Sequence, residues 1–231
     1  MLCKIADLIT EVPTEDGLDH RCKDYLYSGD RGADIIIRTD LYRFNKFPLD
    51  TPRTIVAYME SAYQFYLQLL NFNGFYMHAS AVVVDGKAYL FSGPSGVGKS
   101  THVQNWLRFF GEKAYILNDD KPALRLVDGV WYAYGTPWCG KDGINRNSRV
   151  PVAGVCFLKK AEKNTIRTMD SSEAVMRILG QTIFRFPKKE YADLLIPLID
   201  SLLKKIHVYE FENLPNMEAV LLSHKTISRN L

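Results

Sequence analysis

Residues 93 to 100 read Gly93-Pro94-Ser95-Gly96-Val97-Gly98-Lys99-Ser100, with Thr101 following, and fit the spacing G-x-x-x-x-G-K-[ST]. Chemistry needs each of these types where it stands. Glycines at 93, 96 and 98 permit positive φ and let backbone N–H groups approach phosphate oxygens. Lys99 can reach β- and γ-phosphates, and Ser100 can ligate Mg²⁺ while opening a helix whose N-terminus favours anions. The competing reading is a structural glycine turn. Against it stands the context, a strand-like run before the loop and a helical stretch after it, as a phosphate loop requires. The pattern therefore predicts nucleotide binding by Gly93 to Thr101, with ATP and Mg²⁺ as cofactors. Switches, motors, transporters and kinases share such loops, so the reaction needs other residues.

Asp119 and Asp120 supply candidates. Asp119 lies 20 positions after Lys99, at the end of the apolar run "AYILNDD". Magnesium in such sites is held by one or two carboxylates plus phosphates and water, which makes Ser100 and Asp120 the expected metal ligands. Two adjacent carboxylates can also divide labour, one holding metal and the other accepting a proton from an attacking hydroxyl. Which is the base stays open at this point, and a turn or capping role for one of them is the alternative. His78 precedes the hairpin that feeds the loop; strands pairing symmetrically about Asp85-Gly86 put Ala79 opposite Ser92 and bring His78 near the γ-phosphate region, although a lone histidine is often structural. Finally, "GTPWCGKDGINRN" (135–147) offers Trp138 as an aromatic face, and Lys141, Arg146 and nearby Arg149 to stabilise charge in transfer, or else is a plain connector.

These residues must be positioned by strands and helices. "KIADLI" and "ADIIIRT" read as short strands, and "TPRTIVAYMESAYQFYLQLLNFNG" as a long helix. In it Thr51 and Pro52 stand at the start, Gly74 lies past the end, and Ile55, Tyr58, Met59, Ala62, Tyr66, Leu69 and Leu70 form a core stripe. Asp85-Gly86 and Asp128-Gly129 each lie between β-rich runs and predict hairpins. The first places the loop's strand beside its predecessor, unlike the doubly wound arrangement. A helix of about ten residues from Ser100, a strand over "AYILNDD" and another over "VPVAGVCFLKK" follow. The remainder reads as mainly helical: "SSEAVMRILGQTI" opens on Ser171-Ser172, and "EYADLLIPLIDSLLKKI" carries Leu194, Leu195, Leu198, Ile199, Leu202 and Leu203 on one face, with Pro197 as a kink. Trp106 and Trp131 read as core.

The 231 residues suit one α/β domain: N-terminal strands and a helix over 1–75, a nucleotide-binding core over 76–160, and C-terminal helices over 161–231. Hydrophobic residues at 47% and charged ones at 24% argue against disorder, and a net charge of +3 is too weak to indicate a nucleic-acid partner. Lys159-Lys160 and Lys188-Lys189 read as solvated faces. Cys3, Cys22, Cys139 and Cys156 lack disulfide or zinc spacing, and no apolar stretch is long enough to cross a membrane, so a cytoplasmic protein with no membrane partner is expected. Association into a homo-oligomer is left open.

Taken together, "MHASAVVVDGKAYLFSGPSGVGKST" followed by "LNDDKPAL" resembles the catalytic domain of HPr kinase/phosphorylase, a family sharing its P-loop fold with phosphoenolpyruvate carboxykinase. His78, Gly93 to Ser100, and Asp119-Asp120 match its pattern, over about 50 residues. The resemblance implies an α/β P-loop kinase domain with a mixed sheet and hairpins flanked by helices, ATP and Mg²⁺, and phosphorylation of a serine hydroxyl with an Asp as base. Only 77 residues precede His78, and "TPWCGKDGINRN" stands where the family carries Glu-x-Arg-Gly-x-Gly. The chain thus looks like a short variant without the separate N-terminal domain, similar to shorter HPr-kinase-like proteins, some of them linked to tailoring of ribosomally made peptides. The expected activity is a kinase using His78, Lys99, Asp119, Asp120 and Lys141 on a hydroxyl of a peptide or small protein. A small-molecule kinase, or a nucleotide-binding regulatory module with little turnover, is the alternative.

Overall fold

The computed structural model describes residues 1–182 and 189–229. Strands β1 (Leu2–Ile5) and β2 (Leu8–Glu11) pair antiparallel. One run over Lys4 to Ile9 was expected; the chain instead reverses at Ala6-Asp7, where φ is 51° and 63°, the two left-handed residues of a tight hairpin. After a short helix α1 (Leu18–Arg21), β3 shrinks to Ile35–Ile36 and pairs parallel with β2. Helix α2 (Arg53–Leu69) covers this small sheet. Pro52 takes its N-cap position, leaving Thr51 outside, and Asn73 at φ 56°, rather than Gly74, reverses the chain beyond it.

The buried face of α2 is rotated from the expected stripe. Ala57, Ala62, Phe65, Tyr66 and Leu69 pack with Ile5, Leu8, Ile35, Tyr134 and Trp138, while Ile55 and Met59 remain 50% and 43% exposed. The helix has two neighbours, the N-terminal sheet and the edge of the main one, and their combined direction sets the face.

The main sheet contains β4 (Gly74–Tyr76), β5 (Ala79–Val84) and β6 (Lys87–Ser92), then, after helix α3 (Lys99–Phe110), β7 (Ala114–Asp120), β8 (Ala123–Val127), β9 (Val130–Tyr134) and β10 (Arg149–Lys160). Both expected hairpins form, with Asp85-Gly86 and Asp128-Gly129 all at positive φ. Strand order is β4-β8-β9-β10-β6-β5-β7. The twelve residues of β10 join its parts, pairing antiparallel with β9 at one end and parallel with β6 farther on. The result is a curled mixed sheet, an α/β arrangement.

The C-terminal part is less helical than its sequence suggests. Strand β11 (Thr165–Thr168), helix α4 (Ser171–Leu179), helix α5 (Lys189–Leu203), strand β12 (Val208–Asn213) and helix α6 (Met217–Ser228) follow one another. β12 pairs parallel with β10 and antiparallel with β11. Its Tyr209 and Phe211 turn inward, while Glu210 and Glu212 face out to Arg167, Arg177 and Lys159, the period-2 pattern of a strand with one wet face. The cap of α4 is Asp170, whose carboxylate accepts the Glu173 N–H, and not Ser171-Ser172. Ile183, expected in that helix, and Lys188 lie outside the described residues. Pro197 sits inside α5; Leu195, Leu198, Ile199 and Leu202 are buried there, and Leu194 is not.

Alternation along the strands feeds two cores. Val83, Leu90, Val155 and Phe157 meet α4 and α5 on one face. Val82, Phe91, Cys156 and Leu158 meet α3 and α6 on the other, around Trp106. Trp131 is buried as expected, and all four cysteines are free thiols.

Candidate active site

The glycine-rich loop leaves β6 at Ser92 and enters α3 at Lys99, one residue earlier than expected. Gly96 and Gly98 have φ of 75° and 108°, and a Cβ on either would meet nothing within 4 Å. Backbone conformation, not space, therefore calls for glycine. No side chain caps α3, so its first-turn N–H groups stay available to an external acceptor. Lys99 Nζ donates to Gly93 O at 2.8 Å and Pro94 O at 3.2 Å. Burial lowers the pKa of its ammonium, an effect partly opposed by the charges of Asp120 and Asp119. Ser100 and Thr101 are exposed at the start of the helix.

Strand register brings the carboxylates to the loop. Ala79 of β5 faces Ser92 on one side, as expected, and Asp120 on the other, while Ser80 faces Asp119. Ser92, Ala79 and Asp120 thus form one row across three strands, with neighbouring strands roughly 4.8 Å apart. His78 stands at the head of the row. Its carbonyl accepts from Ser92 Oγ at 2.7 Å, its N–H donates to Gln181 O at 2.6 Å, and its Nε2 lies 3.1 Å from Asp120 Oδ1.

Asp120 has the left-handed φ of 91° and a second partner, Lys121 Nζ, on Oδ2. Burial works to raise its pKa, but hydrogen bonds from His78 and Lys121, with their charges, outweigh it and lower the value to about 2. Lys121 also donates to Tyr58 OH at 3.1 Å, and Tyr58 OH donates to Cys139 O at 2.7 Å. Burial lowers the Lys121 pKa less than Tyr58 and Asp120 raise it, so the ammonium is held charged. Asp119 accepts a hydrogen bond from Ser80 Oγ at Oδ1. Sequence reasoning missed Lys121, Tyr58 and Ser80. For Lys121 a signal existed, its position directly after the two acids; for Tyr58, read as core, there was none.

The segment 135–147 lies along β7: Gly140 N–H donates to Asp119 O at 2.7 Å, Asp119 N–H to Ile144 O at 3.1 Å, and Arg146 N–H to Leu117 O at 2.9 Å. Trp138 does not face a substrate. It is 1% exposed, packs on Phe65 and Tyr66, and donates from Nε1 to Ser61 Oγ at 2.9 Å, because the N-terminal layer offers it a core. Arg146 covers the Tyr115 ring, and Arg149 pairs with Asp7. Lys141 is exposed and lines a cleft of about 460 Å³ with His20, Arg21 and Lys23. Among the described residues no hydrogen bond or ion pair joins it to Lys99, Asp119 or Asp120, although the preceding Gly140 lies against both acids. Among the described residues, no three His, Cys, Asp or Glu side chains gather as a metal cluster, and no helix is long and apolar enough to cross a membrane.

A family model described as "SynChlorMet cassette protein ScmC" matches residues 47–193, well over half of the chain and the whole of the site just described. A search of curated proteins finds no match. Among solved structures, the Hpr(Ser) kinase/phosphatase from Coxiella burnetii is similar at 14% identity, covering 67% of this chain and 94% of that one, with a TM-score of 0.38. A TM-score this low gives the likeness no bearing on fold or function.

Proposed function

The chain belongs to the ScmC family of SynChlorMet cassette proteins, and for this member we propose an ATP- and Mg²⁺-dependent kinase that phosphorylates an alcohol, by preference a Ser or Thr of a peptide or small protein. The observation that carries the reading is the row Ser92, Ala79, Asp120, which holds a glycine-rich loop and two carboxylates at one edge of the sheet. The residues fit a nucleotide triphosphate and its metal. Open space at Gly96 and Gly98, the uncapped helix start and the Lys99 ammonium suit phosphate oxygens. Ser100 and Asp120 suit magnesium, which needs only one or two carboxylates beside phosphates and water.

When bound, Mg·ATP supplies the phosphoryl group and part of the charge neutralisation. The chain supplies position and proton transfer. Lys99, now satisfied by two loop carbonyls, holds positive charge at the loop mouth. Asp120, ionised far below neutral pH, is a good cation ligand and a weak base. Both oxygens of Asp120 are already engaged by His78 and Lys121, which leaves Asp119 as the base. Ser80 fixes its Oδ1, and Gly140 leaves Oδ2 without a covering side chain: a Cβ there would begin 3.2 Å away. His78 and Lys121 hold Asp120 in place.

The test pairs Asp119→Asn with Asp120→Asn, reading Mg·ATP affinity by calorimetry and phosphate transfer from γ-labelled ATP to arrayed Ser and Thr peptides. Asp119→Asn should bind Mg·ATP as the parent does and lose transfer at least a hundredfold, about 2.7 kcal/mol. Asp120→Asn should weaken binding only when Mg²⁺ is present. Full transfer by both variants would overturn the assignment.

A further inference from the structure

Behind Lys121 lies a cavity of about 120 Å³, bounded by Met59, Ala62, Tyr63, Tyr66, Tyr76 and Lys121. The lysine connects it to the site: its Nζ reaches Asp120 and Tyr58, and the same residue lines the cavity. The Tyr66 and Tyr76 rings stand 4.9 Å apart. Tyr66 OH is spent on Lys121 O at 2.6 Å and Thr136 Oγ1 at 2.9 Å, so it offers the cavity a ring and not a hydroxyl. At the rim is Met59, 43% exposed despite its place in an apolar helical pattern. The lysine and the Tyr66 hydroxyl are already satisfied, the Tyr63 hydroxyl is the one buried polar atom of the lining without a partner, and the rest of the wall is mainly apolar, so the cavity favours an occupant that is apolar; a cavity of about 150 Å³ with apolar walls takes benzene.

We propose that this cavity selects the phosphate acceptor by taking an apolar group, of leucine to phenyl size, carried beside the reacting alcohol. The alcohol rests on the kinase reading above; the apolar group rests on the cavity alone. Two sources share this chemistry, a peptide Ser next to an apolar residue and a small alcohol with an apolar body.

The test uses the full chain labelled with ¹³C-methyl methionine, the Met59 signal being assigned by its loss in Met59→Leu. Probes are N-acetyl-Ser-Phe-amide, N-acetyl-Ser-Gly-amide and 2-phenylethanol, each also offered for transfer from γ-labelled ATP. The Met59 methyl should shift saturably with the Ser-Phe probe and not with the Ser-Gly probe, and kcat/KM should favour Ser-Phe at least tenfold. Transfer to the peptide alone identifies a peptide acceptor, and transfer to phenylethanol as well identifies the small alcohol; both support the pocket. A Met59 signal that ignores all probes, or answers Ser-Phe and Ser-Gly alike, overturns the pocket whatever the kinase assay shows. A selective Met59 response with no phosphate transferred to any probe upholds the pocket and overturns the kinase reading.

Discussion

Replacing Lys121 with methionine would keep an apolar stem against the tyrosine rings and delete the ammonium that Asp120 and Tyr58 share. Asp120 is lowered from 3.8 to about 2 despite its burial, with His78 and Lys121 as the donors responsible. At about 1.36 kcal/mol per pKa unit, that depression is equivalent to about 2 kcal/mol of folding stability at neutral pH. His78 remains in the variant, so the expected loss at pH 7 is about 1–2 kcal/mol. Its pH dependence has a definite sign. An acid whose folded pKa lies below its unfolded value stabilises fully above the unfolded value and loses that contribution as pH falls through the folded one. The window here is 3.8 down to about 2, and at pH 3 roughly half of the contribution remains. Lys121 is raised from 10.5 by Tyr58 and by the same ion pair, a contribution complete below that value, so through the acid window only the titration of Asp120 changes it. Urea denaturation of parent and variant at pH 7, 5 and 3 measures the difference directly. The gap should be equal at pH 7 and 5 and shrink by about half at pH 3. A variant as stable as the parent at pH 7, or a gap that does not shrink in acid, would refute the reasoning.

Lys99→Ala should lower ATP affinity at least tenfold and abolish transfer while changing unfolding free energy by under about 1 kcal/mol, since the ammonium serves loop carbonyls and not a core; calorimetry and urea melts check the two halves. Gly135→Ala puts a Cβ onto the Arg146 carbonyl oxygen and 2.9 Å from Leu117 O. Both obstacles are backbone, so a loss above about 3 kcal/mol or insoluble protein is expected, and a near-neutral melt would contradict the packing of 135–147 on β7. Trp138→Phe keeps an aromatic ring but removes the rest of the buried indole and its hydrogen bond to Ser61, costing about 2–3 kcal/mol with acceptor kinetics within twofold of the parent. A selective fall in kcat/KM for the acceptor would return Trp138 to the substrate site.

The features legible in the sequence were those with local causes. Asp85-Gly86 and Asp128-Gly129 supply two left-handed residues each, so the hairpins and the pairing of Ala79 with Ser92 follow from chain geometry. Glycines at 93, 96 and 98 and the lysine after them mark a loop whose conformation few other residues could adopt. The apolar run ending in Asp119-Asp120 is a strand wherever it docks. Tertiary structure decided the rest. The alternating pattern of β12 is complete only beside β10, about 50 residues earlier, so a segment reading as helix or loop becomes a parallel strand. Trp138 reads as a loop aromatic until the N-terminal layer provides Phe65 and Tyr66 to bury it. Lys121 acquires its role from Tyr58, 63 positions away on α2, and the cavity behind it from a face of that helix which periodicity assigned to the core. Burial and electrostatics depend on groups brought together from distant positions, and only the folded chain specifies which groups those are.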